Sequence, residues 1–311
     1  MLPAVLLSST DTKHDDIILD LAVNFYGDRI ATCSADSYVK VWDRVDSEWR
    51  ISATWKSTRG PVSHVAWAPP EFGQLIAVSA LNNVIFIEED DTDSEKPRWL
   101  DKHVQSDQNE NITSIGFGPP HIGLVFAMCT ATKGVKVFFC NDLLNFREWD
   151  MVGAILDPCG SGYSCFAWCS SAFTERMIAV CCRQRHTVKI VAYNSRGGWE
   201  PITEMLGHSE DIIDIAWAPD SGRSYHLLAS VSSDALIIWK LEINSNGDAI
   251  HTRYIIKNVD GCFPWRLRWN VTGTILAGSY DDGTVRMWKM NQYNFSWVQF
   301  SAITPDTKSV K

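Results

Sequence analysis

The stretch ATCSADSYVKVWD at 31–43 is echoed by AGSYDDGTVRMWK at 277–289, and further copies of the same pattern lie between them. HVAWAPPEFGQLIAVSA matches DIAWAPDSGRSYHLLASVS, with DLAVNFYGDRIATCS, SIGFGPPHIGLVFAMCT, CFAWCSSAFTERMIAVCC and RLRWNVTGTILAGS as weaker relatives. Alignment puts Val23, Trp67, Phe117, Trp168, Trp217 and Trp269 in one column, at steps of 44, 50, 51, 49 and 52 residues. A unit of that length repeated at near-constant spacing restricts the fold to stacked or radial arrays, because one such unit cannot bury its own apolar faces.

The grammar inside each copy selects among the arrays. An alternating segment such as DIAWA leads through a Pro- or Gly-containing turn to an apolar segment such as LLASVS. A tight turn and a third segment such as ALIIWK follow, all with strand-type patterning. A second column, Trp49, Trp99, Trp149 and Trp199, marks a fourth strand; copy five has IHTRYIIKN there without the Trp, and copy six has FSWVQFSAI. Four strands in each copy of 44 to 52 residues predict an all-β, six-bladed WD-repeat β-propeller. The expected organisation is one domain over 1–305, with blades at 14–56, 61–105, 111–155, 163–206, 211–259 and 262–302. An extra strand is expected at 3–9 and a flexible tail at 306–311.

Composition removes several functional classes. A net charge of −9 argues against direct nucleic-acid or anionic-membrane binding, which needs clustered Lys and Arg. No apolar run approaches the roughly 18 residues of a membrane span, so no membrane insertion is expected. The start MLPAVLLSST has no basic leader and does not read as a signal peptide. Nine Cys, an odd number without a C-x-x-C pair and partly set in apolar runs such as MIAVCC, read as buried reduced thiols of an intracellular protein. The N-x-[ST] matches at Asn111, Asn270 and Asn294 are then idle.

Three copies keep WD-type polar residues: His14, Ser34, Asp36 and Trp42 in copy one; His208, Ser232, Asp234 and Trp239 in copy five; Asp282 and Trp288 in copy six. In such a blade the turn Asp orients the His, which connects through a hydroxyl to the Trp indole, and the set is worthwhile only when every donor is satisfied. Ile87, Phe138 and Val191 stand at the Trp position of copies two to four, where apolar packing replaces the network. A recurring His, Ser and Asp also suggest a hydrolase triad. Recurrence ending at a Trp, with no G-x-S-x-G elbow, favours structure over catalysis. No Walker-type loop and no H-x-H or H-E-x-x-H pair occurs, so no cofactor and no metal are expected. The acidic run EEDDTDSE at 88–95 reads as a solvated loop.

Counting strands leaves a surplus. Six copies supply six inner triplets and six outer strands, yet PAVLLSS at 3–9 is a seventh outer strand. Either a terminal strand is redundant and six blades close the ring, or the ring is open and its seventh blade lacks three inner strands. An open ring exposes strand edges and an apolar seam that a partner's three-stranded blade would cover in trans. The candidate partner-binding residues are Val5, Leu6 and Leu7 on the extra strand, Ile17, Ile18, Leu19 and Leu21 at the edge of blade one, and Trp265 and Leu267 on blade six.

The runs ATCSADSYVKVWD, WAPPEFGQLIAVSA, PPHIGLVFAMCT, RMIAVCC, APDSGRSYHLLA and PWRLRWNVTGTILAGSYDDGTVRMWK resemble, in order, those of the Seh-type nucleoporins. The sister Sec-type propellers of the COPII vesicle coat share the first run and are less similar at GRSYHLLA and NVTGTILA. The resemblance implies a non-catalytic scaffold: an open six-bladed propeller completed by an insertion blade from an α-helical scaffold nucleoporin. It further implies other nucleoporins of the Y-shaped outer-ring complex as partners at the nuclear envelope, and subunits of the GATOR/SEA-type complex, which regulates TOR signalling at the lysosome or vacuole, with a cytoplasmic pool. Leu81 and Ile87 in copy two, and the missing acidic turn of copy four, depart from the family pattern. The alternatives are the vesicle-coat role, a closed adaptor that binds peptides on its loops, and an enzyme built on a propeller frame.

Overall fold

The computed structural model describes residues 10–90, 98–107, 110–157, 160–171, 176–194, 196–220, 222–244, 246–258, 262–291, 293 and 296–304. Among these are 24 strands and two single 3-10 turns, at Pro70–Phe72 and Pro120–Ile122. The strands form six antiparallel four-stranded sheets, each built in chain order from first strand to fourth. The sheets span 18–56, 62–106, 112–155, 163–206, 212–257 and 264–303 and are numbered here as blades one to six. The fold class is therefore an all-β, six-bladed WD-type propeller. Two compact units divide between Leu156 and Asp157, with three blades in each. The expected strand at 3–9, most of the acidic run and the tail at 306–311 lie outside the described residues.

Burial follows the sequence pattern strand by strand. The second strands Leu75–Ala80, Val125–Thr130 and Met177–Cys182 are buried at every position, which accounts for their continuous apolar runs. The fourth strand of blade one, Glu48–Lys56, mixes exposed and half-buried residues and has no fully buried one, because part of its side-chain surface faces solvent. In blades two and three Pro70 and Pro120 open the 3-10 turns, and Gly73 and Gly123 close them at φ of 79° and 87°. Positive φ at those closures suits glycine alone among common residues.

Neighbouring blades within a unit pack face to face. In the first unit, Ala31, Cys33, Val39 and Val41 of blade one meet Val62, Val65, Ile76, Val78, Ile85 and Ile87 of blade two. In the second unit, Ala229, Val231, Leu236 and Ile238 of blade five meet Leu267, Leu276 and Trp288 of blade six. Each fully buried Val, Ile or Leu contributes about 1.5–3 kcal/mol relative to exposure. Arg29 of blade one adds a polar clamp, bonding Asp43 of its own blade at 2.8 Å and Glu89 of blade two at 2.7 Å.

Two further devices join blades, and both recur. Asp20 accepts the Val65 amide at 3.2 Å, and Asp214 accepts the Leu267 amide at 2.8 Å. Two residues along the same strands, the indole of Trp67 donates to the Ala22 carbonyl and that of Trp269 to the Ala216 carbonyl, both at 3.1 Å. Thus the first tryptophan column latches each of these blades to the one before it.

The two tryptophan columns meet in space. Trp67 and Trp99 lie edge to face at 5.8 Å, Trp168 and Trp199 at 6.1 Å, and Trp269 and Trp297 at 5.5 Å. The indole N–H groups of Trp99, Trp199 and Trp297 are buried in these aromatic pairs without a hydrogen-bond acceptor among the described residues. Blade five lacks the second tryptophan, and His226 takes its place against Trp217 at 5.5 Å.

A bulge recurs in the first strand. The register skips Leu19 in blade one, Ser63 in blade two, Thr113 in blade three, Ile213 in blade five and Trp265 in blade six. A bulged residue breaks the two-residue alternation of faces, so residues on either side of it do not share a side by simple counting.

The latch gives a direct expectation. Asp214→Ala leaves the buried Leu267 amide without its acceptor and should lower unfolding free energy by about 1–3 kcal/mol. Urea denaturation followed by tryptophan fluorescence measures it.

Candidate functional site

In blade one the turn Asp36 carboxylate accepts the His14 Nδ1–H at 2.8 Å. The other ring nitrogen, Nε2, lies 3.0 Å from the Thr32 hydroxyl, which the Trp42 indole N–H reaches at 3.1 Å. One proton assignment satisfies every donor: indole to hydroxyl, hydroxyl to neutral imidazole, imidazole to carboxylate. Burial opposes ionisation of Asp36, but the amides of Tyr38 and Asp15 and the His14 ring together hold its carboxyl below the ordinary value.

Blade five repeats the relay with one more link. Trp239, fully buried, donates to the Ser230 hydroxyl at 2.8 Å, and Ser230 lies 2.7 Å from His208 Nε2. His208 Nδ1 faces Ser232 at 2.8 Å and Asp234 at 3.3 Å, and the Ser232 hydroxyl donates to Asp234. Gly207 precedes this histidine because a Cβ there would sit 2.8 Å from the Trp239 ring. Burial pushes the His208 pKa down, against the pull of Asp234.

These geometries correct the sequence reading at two residues. The hydroxyl joining imidazole to indole is Thr32, not Ser34, and Ser230, not Ser232. Strand register explains it: Ile30 pairs with Trp42 and Leu228 with Trp239, so the residue two further along is diagonal to the indole. Ser34 instead accepts the Asp36 amide and donates to the Asp16 carbonyl. The alternating hydroxyls in ATCS and ASVS were the available signal. Asp282 and Trp288 are not joined. Asp282 accepts Thr284 and Arg286, whose guanidinium lies 4.1 Å over the Tyr280 ring, and Tyr280 packs on buried Trp288. The Thr284 bonds above all hold the Asp282 carboxyl down to about 2. Ile87, Phe138 and Val191 are simply buried.

The candidate partner-binding residues separate into three groups. Val5, Leu6 and Leu7 lie outside the described residues. Ile17, Ile18, Leu19 and Leu21 are exposed at 70%, 39%, 41% and 49%, and the exposed run continues through Val23, Phe25 and Tyr26. Their counterparts in other blades, Val62, Val65, Ile212 and Ile215, are buried. Trp265 is half-exposed, but Leu267 is completely buried and is no partner surface. The bulge at Trp265 separates the two, and Leu267 falls in the column of Val65; both face the preceding blade of their unit.

Among the described residues no cluster of three or more His, Cys, Asp or Glu side chains could hold a metal ion, and no helix is long and apolar enough to cross a membrane. All the described cysteines except Cys262 are buried.

The relays, the latches and the four-stranded repeats define a WD-repeat β-propeller. The WD domain, G-beta repeat family model matches residues 7–43, 199–240 and 256–289, within or around the three copies that keep the Asp and Trp. Nucleoporin SEH1 of Xenopus tropicalis is 34% identical over 97% of this chain and 89% of its own length. The proteins of that name from Bos taurus and Homo sapiens are each 34% identical, over 93% of this chain and 86% of theirs. The chain belongs to the SEH1 nucleoporin family.

The relay requires neutral His208, because a protonated Nε2 cannot accept from Ser230. Its folded pKa is lowered, so the unfolded chain binds the proton more readily. The stabilisation is complete above the ordinary value of 6.5 and is lost as pH falls through the lower folded value. Melting temperature should decline as pH drops from about 6.5, and His208→Asn should flatten that decline, leaving a residue from His226, which burial also depresses. Ser230→Ala strips the acceptor from the buried Trp239 indole and should cost about 1–3 kcal/mol at neutral pH, read by chemical denaturation.

Proposed function

We propose that this chain is a non-catalytic scaffold subunit of the nuclear pore coat, supporting passage of mRNA and protein between nucleus and cytoplasm. In this reading it sits at the nuclear envelope in the Y-shaped outer-ring complex beside other nucleoporins. An α-helical scaffold nucleoporin donates three strands, which pair with the segment at 3–9 as the fourth and complete a seventh blade in trans. The reading extends to a second assembly of the GATOR/SEA type, acting on TOR signalling at the lysosomal or vacuolar surface, with a cytoplasmic pool in exchange.

The observation that carries it is the exposed run on the first strand of blade one. Leu21 is 49% exposed where Val65, Ile215 and Leu267 in the same column are at most 5% exposed. Soluble proteins seldom leave a contiguous apolar strip of this kind without a partner to cover it. Family membership supplies the setting, and the net charge of −9 fits a protein-binding role better than direct contact with nucleic acid. The mechanism is assembly: main-chain pairing provides affinity, and apolar side chains at alternate positions provide register.

Deleting residues 1–9 tests it. Affinity for the co-expressed α-helical partner, measured by titration, should fall by at least about tenfold, or 1.4 kcal/mol, while the melting temperature of the free chain moves by less than about 3 °C. Equal loss of binding and stability would count against the inserted blade.

A further inference from the structure

The open face of blade one contains a cavity of about 100 Å³ lined by Thr10, Thr12, Leu21, Ile30, Thr32, Trp42 and Trp49. Its origin lies in the repeat. Trp49 belongs to the second tryptophan column, and in blades two, four and six that column packs edge-on against the first. In blade one the first column holds Val23, which is too small to reach. Trp49 therefore stands without the ring that Trp67 supplies to Trp99.

Thr32 and Lys40 near this hollow are already committed, and the surface the hollow exposes is apolar. The Thr32 hydroxyl is shared by His14 and Trp42. Lys40, in the column where blade two has Ile85, is buried and donates to the carbonyls of Thr12 and Lys13. A polar ligand would find little to bond with, and a dry apolar hollow favours carbon. The same face of blade two shows what seats there: an adjoining β-blade carrying Ala31, Cys33, Val39 and Val41. That neighbour presents small side chains because Trp67 already fills the space. A neighbour of blade one must bring the missing bulk itself.

We propose that this cavity is the anchor site of the inserted blade, seating one apolar partner side chain of leucine to phenylalanine size between Trp42 and Trp49. This rests on the reading that a partner's blade covers the face. It specifies the partner chemistry: an alternating β-strand of small and β-branched residues with a single large apolar residue opposite Ile30. A closed cavity of about 150 Å³ accepts a whole benzene ring, so this hollow, two-thirds of that volume and open at the Thr10 rim, seats the inner part of one such side chain and no second. Buried anchors of this kind dominate interfaces of otherwise near-neutral contacts.

The experiment uses the full chain co-expressed with its α-helical partner and a photo-reactive p-benzoylphenylalanine at Thr10, on the exposed rim. Irradiation and peptide mapping should place the cross-link on a strand segment of the partner, beside one large apolar residue. Replacing that residue by alanine should weaken the complex at least about tenfold. Ile30→Trp, which fills the hollow from within, should do the same with the free chain still folded; if it does not fold, Thr10→Trp fills the hollow from the rim. A cross-link to residues 1–9 of this chain, or to a helix of the partner, overturns the anchor while leaving the inserted blade standing. So does an alanine variant that binds within about twofold of the original. Failure of the two chains to form any complex removes the inserted blade and the anchor with it.

Discussion

A four-stranded blade has two apolar faces and can bury neither alone. In the first unit Val62, Val65, Ile76, Val78, Ile85 and Ile87 of blade two are buried because blade one lies on them. Hydrophobic packing of this kind has no direction, so it stacks blades without choosing their rotation. Orientation comes from the directional contacts at the same seams: the Asp20 and Asp214 acceptors, the Trp67 and Trp269 indoles, and the Arg29 clamp. Packing supplies most of the free energy, and a few hydrogen bonds select one arrangement.

The polar relays belong to a different level. Each ties the segment ahead of the first strand to the third strand of one blade through a hydroxyl on the second: Thr32 in blade one, Ser230 in blade five. Blades two, three and four do without, and Ile87, Phe138 and Val191 fill the space at 0%, 4% and 2% exposure. Both solutions coexist in one chain because a satisfied network and a well-packed apolar residue are close in free energy. What distinguishes the relay is its dependence on protonation, which the apolar blades lack.

The repeat, its strand grammar and the fold class were legible because period, alternation and turn residues all repeat about every 50 residues. The two tryptophan columns were equally plain as columns. Their meeting was not, since it depends on the side to which Trp67 and Trp99 turn. Thr32 and Ser230 were overlooked because Ser34 and Ser232 stand closer in sequence to the turn aspartates, while the indole reaches along a strand diagonal. Leu267 was misassigned for a related reason: Trp265 is the inserted residue of a bulge, and a bulge leaves no mark in a two-residue alternation. Exposure of Ile17 to Leu21 is a tertiary property, and the apolar letters alone read the same whether covered or bare.

The unequal covering of blades one and two has a consequence for how the chain comes apart. A linear stack of units opens from an uncapped end, because a terminal unit loses only one set of neighbours. Blade one, bare along Leu21 and Val23, is such an end within its unit, while blade two is enclosed on the face toward it. Amide protection should therefore rise along the chain from the first hairpin to the second blade. A ligand that caps the bare face would erase that gradient, converting a fraying terminus into an interior repeat.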